Sequence, residues 1–290
     1  MATGQPGWIT WEIDLERHYP YGKVSPDPDR LQALGFPPPW PDRPWIYANL
    51  ITSQNGLVAW ERRDPGDDPI RAIAGGDFTR PGRRADVRLM RYLRACANAV
   101  SVGAQTLRDQ PALVGTLSDS GSDLGAILER FRLSHGLRRL PRQVIYTQHG
   151  ALDLEVRMFN TPGVEVIVVT TGHGARRLRA QGSEGKGVTL LVAGEDALGP
   201  AELLHAHQRL FADFDVRYLD CEGGATILAA LHEAGLVDEI FVTVTDVRID
   251  PSGHAGVKRL FSLDGARLMA EGHTAPDAGY VFRRWRFNER

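Results

Sequence analysis

The stretch VRYLDCEGGATILAALHEAGLVDEIFVTVT, residues 216–245, decides how the rest of the chain is read. Val216 to Asp220 is a short β-prone run, and Glu222-Gly223-Gly224 is a turn. Thr226 to Ala234 carries Ile227, Leu228, Leu231 and Ala234 at helical spacing. Gly235 stands where a glycine closes a helix, with Leu236 placed to fold back on Leu231. Glu239 to Thr245 is a second β-prone run. Strand, glycine pair, helix and strand together make an α/β unit. Glycines at a strand end let the backbone approach a ligand, and the helix N-terminus that follows offers free N–H groups and partial positive charge. A phosphate or diphosphate is the natural guest. A plain tight turn between strand and helix fits the same residues.

Upstream of this unit, Gln143 to Thr147, Val164 to Thr171 and Val188 to Val192 read as strands. Ala175 to Ala180 reads as a short basic helix, and Pro200 to Phe211 as a helix with proline in its first turn. Trp45 to Thr52 is the first buried strand and runs into the turn Ser53-Gln54-Asn55-Gly56. Glu61 to Arg84 reads as a long polar loop. Asp86 to Ala97 is an amphipathic helix, with Leu89, Met90 and Leu93 on one face and Arg88, Arg91 and Arg94 around the rest. Ala99 to Val102 is a strand leading into Gly103. Between Leu113 and Leu140 one helix is expected, over Ala126 to Leu133. Downstream, Gly279 to Phe287 alternates as a last strand at a sheet edge, with no helix before it to make a parallel crossover. The expected fold is α/β, a mixed and mainly parallel sheet with an antiparallel C-terminal edge, flanked by helices.

Residues 1–43 read as an extension ahead of one domain over 44–290. Five prolines (37, 38, 39, 41 and 44) make Gly35 to Trp45 a stiff linker or a strap lying on the domain. Trp8, Trp11 and Tyr19 imply that the extension packs on its own domain or on a dimer partner. A formal net charge of −2 offers no basic field for nucleic acid. Two cysteines, Cys96 and Cys221, do not make a disulfide scaffold, and a reducing cytoplasm is expected. No apolar run reaches bilayer-spanning length, and the first 20 residues lack the pattern of a secretion signal.

Two glycine-bearing strand ends stand out as chemistry-bearing: Val102-Gly103-Ala104-Gln105-Thr106 and Glu222-Gly223-Gly224-Ala225-Thr226. Each couples a permissive backbone to a threonine hydroxyl, a set suited to gripping a dinucleotide from two sides. Thr170 to Gly174, followed by Arg176 and Arg177, is half of a dinucleotide fingerprint without its third glycine. One of those arginines could meet an adenosine 2′-phosphate. His205 and His207 lie two apart on a helix and point to different sides, so no metal is expected there. Cys221 reads as a small buried residue rather than a nucleophile.

These motifs resemble the reductase domain of riboflavin biosynthesis, the pyrimidine reductase family with a dihydrofolate-reductase-like fold. That family's Ser-Leu-Asp-Gly turn corresponds to Ser53 to Gly56. Its Val-Gly-x-x-Thr and Asp-x-Pro-x-Leu motifs correspond to Val102 to Thr106 and Asp109 to Leu113. Its Glu-Gly-Gly-x-Thr and Gly-Leu-Val-Asp-Glu motifs correspond to Glu222 to Thr226 and Gly235 to Glu239. The resemblance implies a homodimeric, NADPH-dependent reductase acting on a pyrimidine or related heterocycle. It implies that Thr106, Asp109, Thr147 and the run Gly224 to Ala230 (Ala225, Thr226 and Ile227 among them), with Gly223, hold the cofactor. It implies that Asn49, Asn55, Arg94, Leu113 and Glu222 meet the substrate, and Glu222 is the one matching carboxyl that could serve as acid.

The chain also departs from that family. The turn aspartate is Asn55, a strand lysine is Asn49, and Ala-Pro after the last motif strand is Thr245-Asp246. An arginine that helps hold the substrate's ribose phosphate falls at Thr116. Loss of charge-assisted phosphate contacts points to a substrate without phosphate, another pyrimidine or a pteridine. Two further readings remain: a dihydrofolate or pteridine reductase, and an NADPH-binding protein without turnover.

Overall fold

The computed structural model describes residues 36–64, 66–117, 123–274 and 277–287. In chain order the elements are β1 Trp45–Thr52, β2 Leu57–Ala59, α1 Pro69–Ile73, α2 Pro81–Cys96, β3 Ala99–Gly103, α3 Ala104–Asp109, α4 Asp123–Ser134, β4 Arg142–Thr147 and β5 Val166–Thr171. There follow α5 Gly172–Ala180, β6 Thr189–Gly194, α6 Pro200–Phe214, β7 Tyr218–Cys221, α7 Ala225–Glu233, β8 Glu239–Thr245, β9 Lys258–Arg259, β10 Arg267–Thr274 and β11 Asp277–Arg286. Two compact units divide them. One holds Pro37–Ala48 and Arg91–Asp238, the other Phe36, Asn49–Met90 and the chain from Glu239 onward.

In the first unit the strands run parallel in the order β1-β7-β3-β4-β5-β6. Parallel strands covered on both faces need continuous apolar runs, and Val166–Thr171 is buried at every position. Helices cover both faces. On one, the Tyr47 hydroxyl donates to the Leu93 carbonyl of α2 at 2.7 Å. On the other, Tyr146 meets His207 of α6 at 2.8 Å. His207 is buried and His205 exposed, so the two histidines do lie on different sides of α6. The chain leaves β3 toward β4, whereas after β7 it returns alongside β1, where the Asp238 amide donates to the Ile46 carbonyl at 2.8 Å. Connections that diverge from neighbouring strands open a crevice at their carboxyl ends, the usual ligand position in such sheets. Here those strands are β7 and β3.

In the second unit β8, β11 and β10 are antiparallel neighbours, and β2 pairs with β9. The mixed, mainly parallel sheet with antiparallel C-terminal strands is therefore as expected. Its outermost strand there is β10, which the sequence reading missed, and β11 lies between β10 and β8. The span Glu61 to Arg84 is not all loop: it contains α1, and α2 begins at Pro81, ahead of the expected Asp86. Asp68 caps α1, its carboxylate accepting from the Arg71 amide.

The proline-rich segment is a strap on the first unit. Tyr218 donates to the Pro37 carbonyl at 3.0 Å, and Trp40 stacks on Trp45. Asp238, fully buried, accepts from Trp40 Nε1, both Arg43 terminal nitrogens and the Ile46 amide, each within 2.9 Å. Trp8, Trp11 and Tyr19 lie outside the described residues.

Candidate active site

The two glycine-bearing strand ends meet. The Gly103 amide donates to the Gly223 carbonyl at 2.8 Å, and the Glu222 amide to the Ser101 carbonyl at 3.0 Å. The Gly224 amide donates to Thr106 Oγ1 at 2.8 Å. Gly223 has φ +96°, a conformation that side chains resist. A Cβ on Gly224 would stand 3.0 Å from Thr106 Oγ1. α7 then begins at Ala225 with no side chain capping its first turn. It closes as expected: Gly235 has φ +67°, and the Leu236 amide bonds the Leu231 carbonyl at 2.9 Å.

Other residues assigned to the cofactor lie in the same unit. Thr147 is buried at the end of β4, next to β3. Asp109 ends α3 and accepts from Gln105 Nε2 at 2.8 Å. Thr171 caps α5, accepting from the Gly174 amide at 3.0 Å. Arg176 pairs with Glu195 at 2.8 Å on the surface, and Arg177 is exposed beside it.

Arg94 and Glu222 are brought together. Both side chains are 8% exposed, and Arg94 Nε and Nη2 each donate to one Glu222 oxygen, the latter at 2.6 Å. Arg94 is thus no solvated helix arginine. Its Nη1 donates to the Thr116 carbonyl at 2.9 Å, on the residue that stands in place of the phosphate-binding arginine. Two residues that sequence reasoning passed over hold this geometry. Tyr47 grips the last turn of α2 through Leu93. Arg132, fully buried on α4, donates to the carbonyls of Arg94 at 3.1 Å, Ala95 at 3.0 Å and Ala97 at 2.5 Å. A cation at a helix C-terminus satisfies its orphan carbonyls. No local pattern marks either residue, because their partners are distant in sequence. Leu113 is half-buried against the core cluster that contains Val102 and Leu107. Cys221 is buried, and burial pushes its thiol up to about 11.

Asn49 and Asn55 belong to the other unit. The Asn55 amide donates to the Ile249 carbonyl at 2.8 Å and accepts from the Ile249 amide at 3.2 Å. An ionised aspartate could accept there but not donate, which accounts for asparagine in this turn. Thr245 and Asp246 likewise have local partners: Thr245 Oγ1 donates to the Ile73 carbonyl at 2.7 Å, and Asp246 takes both terminal nitrogens of Arg80.

The fold and the glycine cradle define an α/β protein of the dihydrofolate-reductase-like class. The RibD C-terminal domain model matches residues 44–277, and the chain belongs to that family. The 2,5-diamino-6-ribosylamino-4(3H)-pyrimidinone 5′-phosphate reductase of Archaeoglobus fulgidus is 26% identical over 199 residues, which is 68% of this chain and 78% of that protein. A pyrimidine reductase-like protein of Corynebacterium diphtheriae shares the fold, with TM-score 0.62, 22% identity and coverage of 86% and 94% of the two chains. So does the riboflavin biosynthesis reductase of Saccharomyces cerevisiae, with TM-score 0.54, 14% identity and coverage of 89% and 98%. The sequence resemblance to the pyrimidine reductases thus holds at the level of family. Among the described residues no helix is long and apolar enough to cross a membrane.

Proposed function

We propose that the chain is an NADPH-dependent reductase that delivers hydride to a C=N-type carbon of a heterocyclic substrate lacking a phosphate group. The observation that carries the reading is the cradle of Gly103, Gly223, Gly224 and Thr106 at the divergence of β7 and β3. The residues fit the cofactor: a bare backbone that a Cβ would crowd, a helix start with no side-chain cap, and the Thr106 hydroxyl beside it. Thr106, Asp109, Thr147 and Gly223 to Ile227 would hold it, and bound NADPH supplies the hydride. The protein's own work is alignment and exclusion of water.

The unphosphorylated substrate is favoured by the state of Arg94. All three guanidinium nitrogens donate within the protein, to Glu222 and Thr116. Paired in this way, the guanidinium and the carboxylate cancel each other's charge, which suits a neutral guest better than a phosphate. The same self-pairing favours the second reading, a protein that binds NADPH without turnover. We propose a homodimer as well.

A substrate panel separates these readings. With pyrimidines and pteridines, phosphorylated and not, we expect NADPH oxidation with an unphosphorylated member, and at least about 100-fold lower kcat in Glu222→Gln. NADPH binding with no oxidation across the panel would support the non-catalytic reading. Arg177, beside the Arg176–Glu195 pair, is the arginine proposed for the 2′-phosphate. Replacing Arg176 and Arg177 with alanine should cut the preference for NADPH over NADH about tenfold, roughly 1.4 kcal/mol. An unchanged ratio of the two dissociation constants removes that role.

A further inference from the structure

Behind Glu222 lies a second acid that no motif marks. Asp220 lies in β7 and Glu222 is the first residue past its end, still tied to β3 through its amide and the Ser101 carbonyl, so the strand's alternation sends both side chains to one face. Asp220 is fully buried, and among the described residues neither of its carboxyl oxygens has a hydrogen-bond partner. Tyr47 of β1 stands opposite it in register. Its charged surroundings are Arg94 from α2 and Glu222 just past the end of β7, with the Cys221 thiol next to it. Arg132, from α4, is committed to the carbonyls that end α2.

One guanidinium, that of Arg94, thus serves two buried carboxyl groups. With both acids ionised, this dry cluster would carry an uncompensated negative charge, which is expensive. With a proton on one of the two it is neutral. Burial, and then the charge of Glu222, push the Asp220 carboxyl well above the usual carboxylate range, against the pull of Arg94. Asp220 is the deeper acid and lacks donors, while Glu222 has both oxygens on Arg94, so the proton belongs on Asp220.

We propose that Asp220 stores the proton that the reduction consumes and releases it to the substrate through Glu222. This rests on the reductase reading above. In the balanced step, hydride from the reduced nicotinamide forms the new C–H bond, and the C=N π pair moves to nitrogen. As their oxygens come into contact, Asp220 passes its proton to Glu222, which releases one of its bonds to Arg94 and gives the proton to that nitrogen. The nicotinamide leaves oxidised, the substrate reduced, and water restores the proton to the pair. Asp220 does not touch substrate: it is a positioning residue for the proton.

The test uses the full chain and two variants, Asp220→Asn and Asp220→Leu. The parent should show the infrared band of a protonated carboxylic acid at neutral pH, absent in both variants. A carboxyl whose folded pKa exceeds its unfolded value of about 3.9 stabilises the fold at low pH and loses that contribution as pH rises through the folded value. Both variants should therefore gain stability on the parent as pH rises. NADPH affinity should stay within about twofold of the parent, because the cradle is untouched, while kcat falls about 100-fold and its pH profile loses a limb. Absence of the band overturns the proposal, as does a parent-like kcat and pH profile in either folded variant. A parent that binds NADPH but reduces no heterocycle defeats the reductase reading and this role together. The band still reports separately whether Asp220 holds a proton.

Discussion

Gly224→Asp is expected to weaken NADPH binding at least about 100-fold, near 3 kcal/mol, in a chain that still folds. The Gly224 amide donates to Thr106 Oγ1, and even a methyl group there would lie 3.0 Å from that oxygen. An added carboxylate fills the approach to the start of α7 and opposes a diphosphate with like charge, where the helix end favours an anion. Gly224→Ala, which adds bulk without charge, should lose less. Fluorescence titration with NADPH at fixed ionic strength, beside a thermal melt, checks both. Undiminished affinity in folded Gly224→Asp would place the cofactor elsewhere and end the functional reading.

Asp238→Ala should cost about 3–5 kcal/mol of folding stability, the range for removing one partner of a buried ion pair. Its carboxylate is fully buried and accepts from Trp40, Arg43 and the Ile46 amide. Removal leaves the Arg43 guanidinium without its anion and frees the strap from the start of β1. Urea unfolding followed by tryptophan fluorescence measures the loss. Asp238→Asn keeps the volume and part of the hydrogen bonding, and should lie between parent and alanine. A change under about 1 kcal/mol for Asp238→Ala would show that the strap contributes little to the fold.

Much of this protein is legible in order along the chain. β1 and β8 have the bounds expected from their apolar runs, and the helix after Gly224 closes at Gly235 through local backbone geometry. The glycine cradle was legible too, because a permissive backbone and a nearby hydroxyl are written within five residues. Strand β10 was not legible. Its eight residues, RLMAEGHT, are mostly exposed or half-buried, and β11 supplies its order through pairing. Helix α1 was hidden among turn-forming residues, its five residues held by a cap and by contacts rather than by periodicity.

The site divides along the same line. The amino-acid order alone determined the family, the strand ends and the residue types able to meet a dinucleotide, because those properties depend on neighbours along the chain. Only the tertiary structure decided the charge states and commitments of the polar groups. Arg94 is buried and neutralised because Glu222, 128 positions away, reaches it, and Asp220 lies dry behind them because β1, β3 and α2 close over it. Electrostatics and desolvation act through space, and a linear order does not record which groups share it.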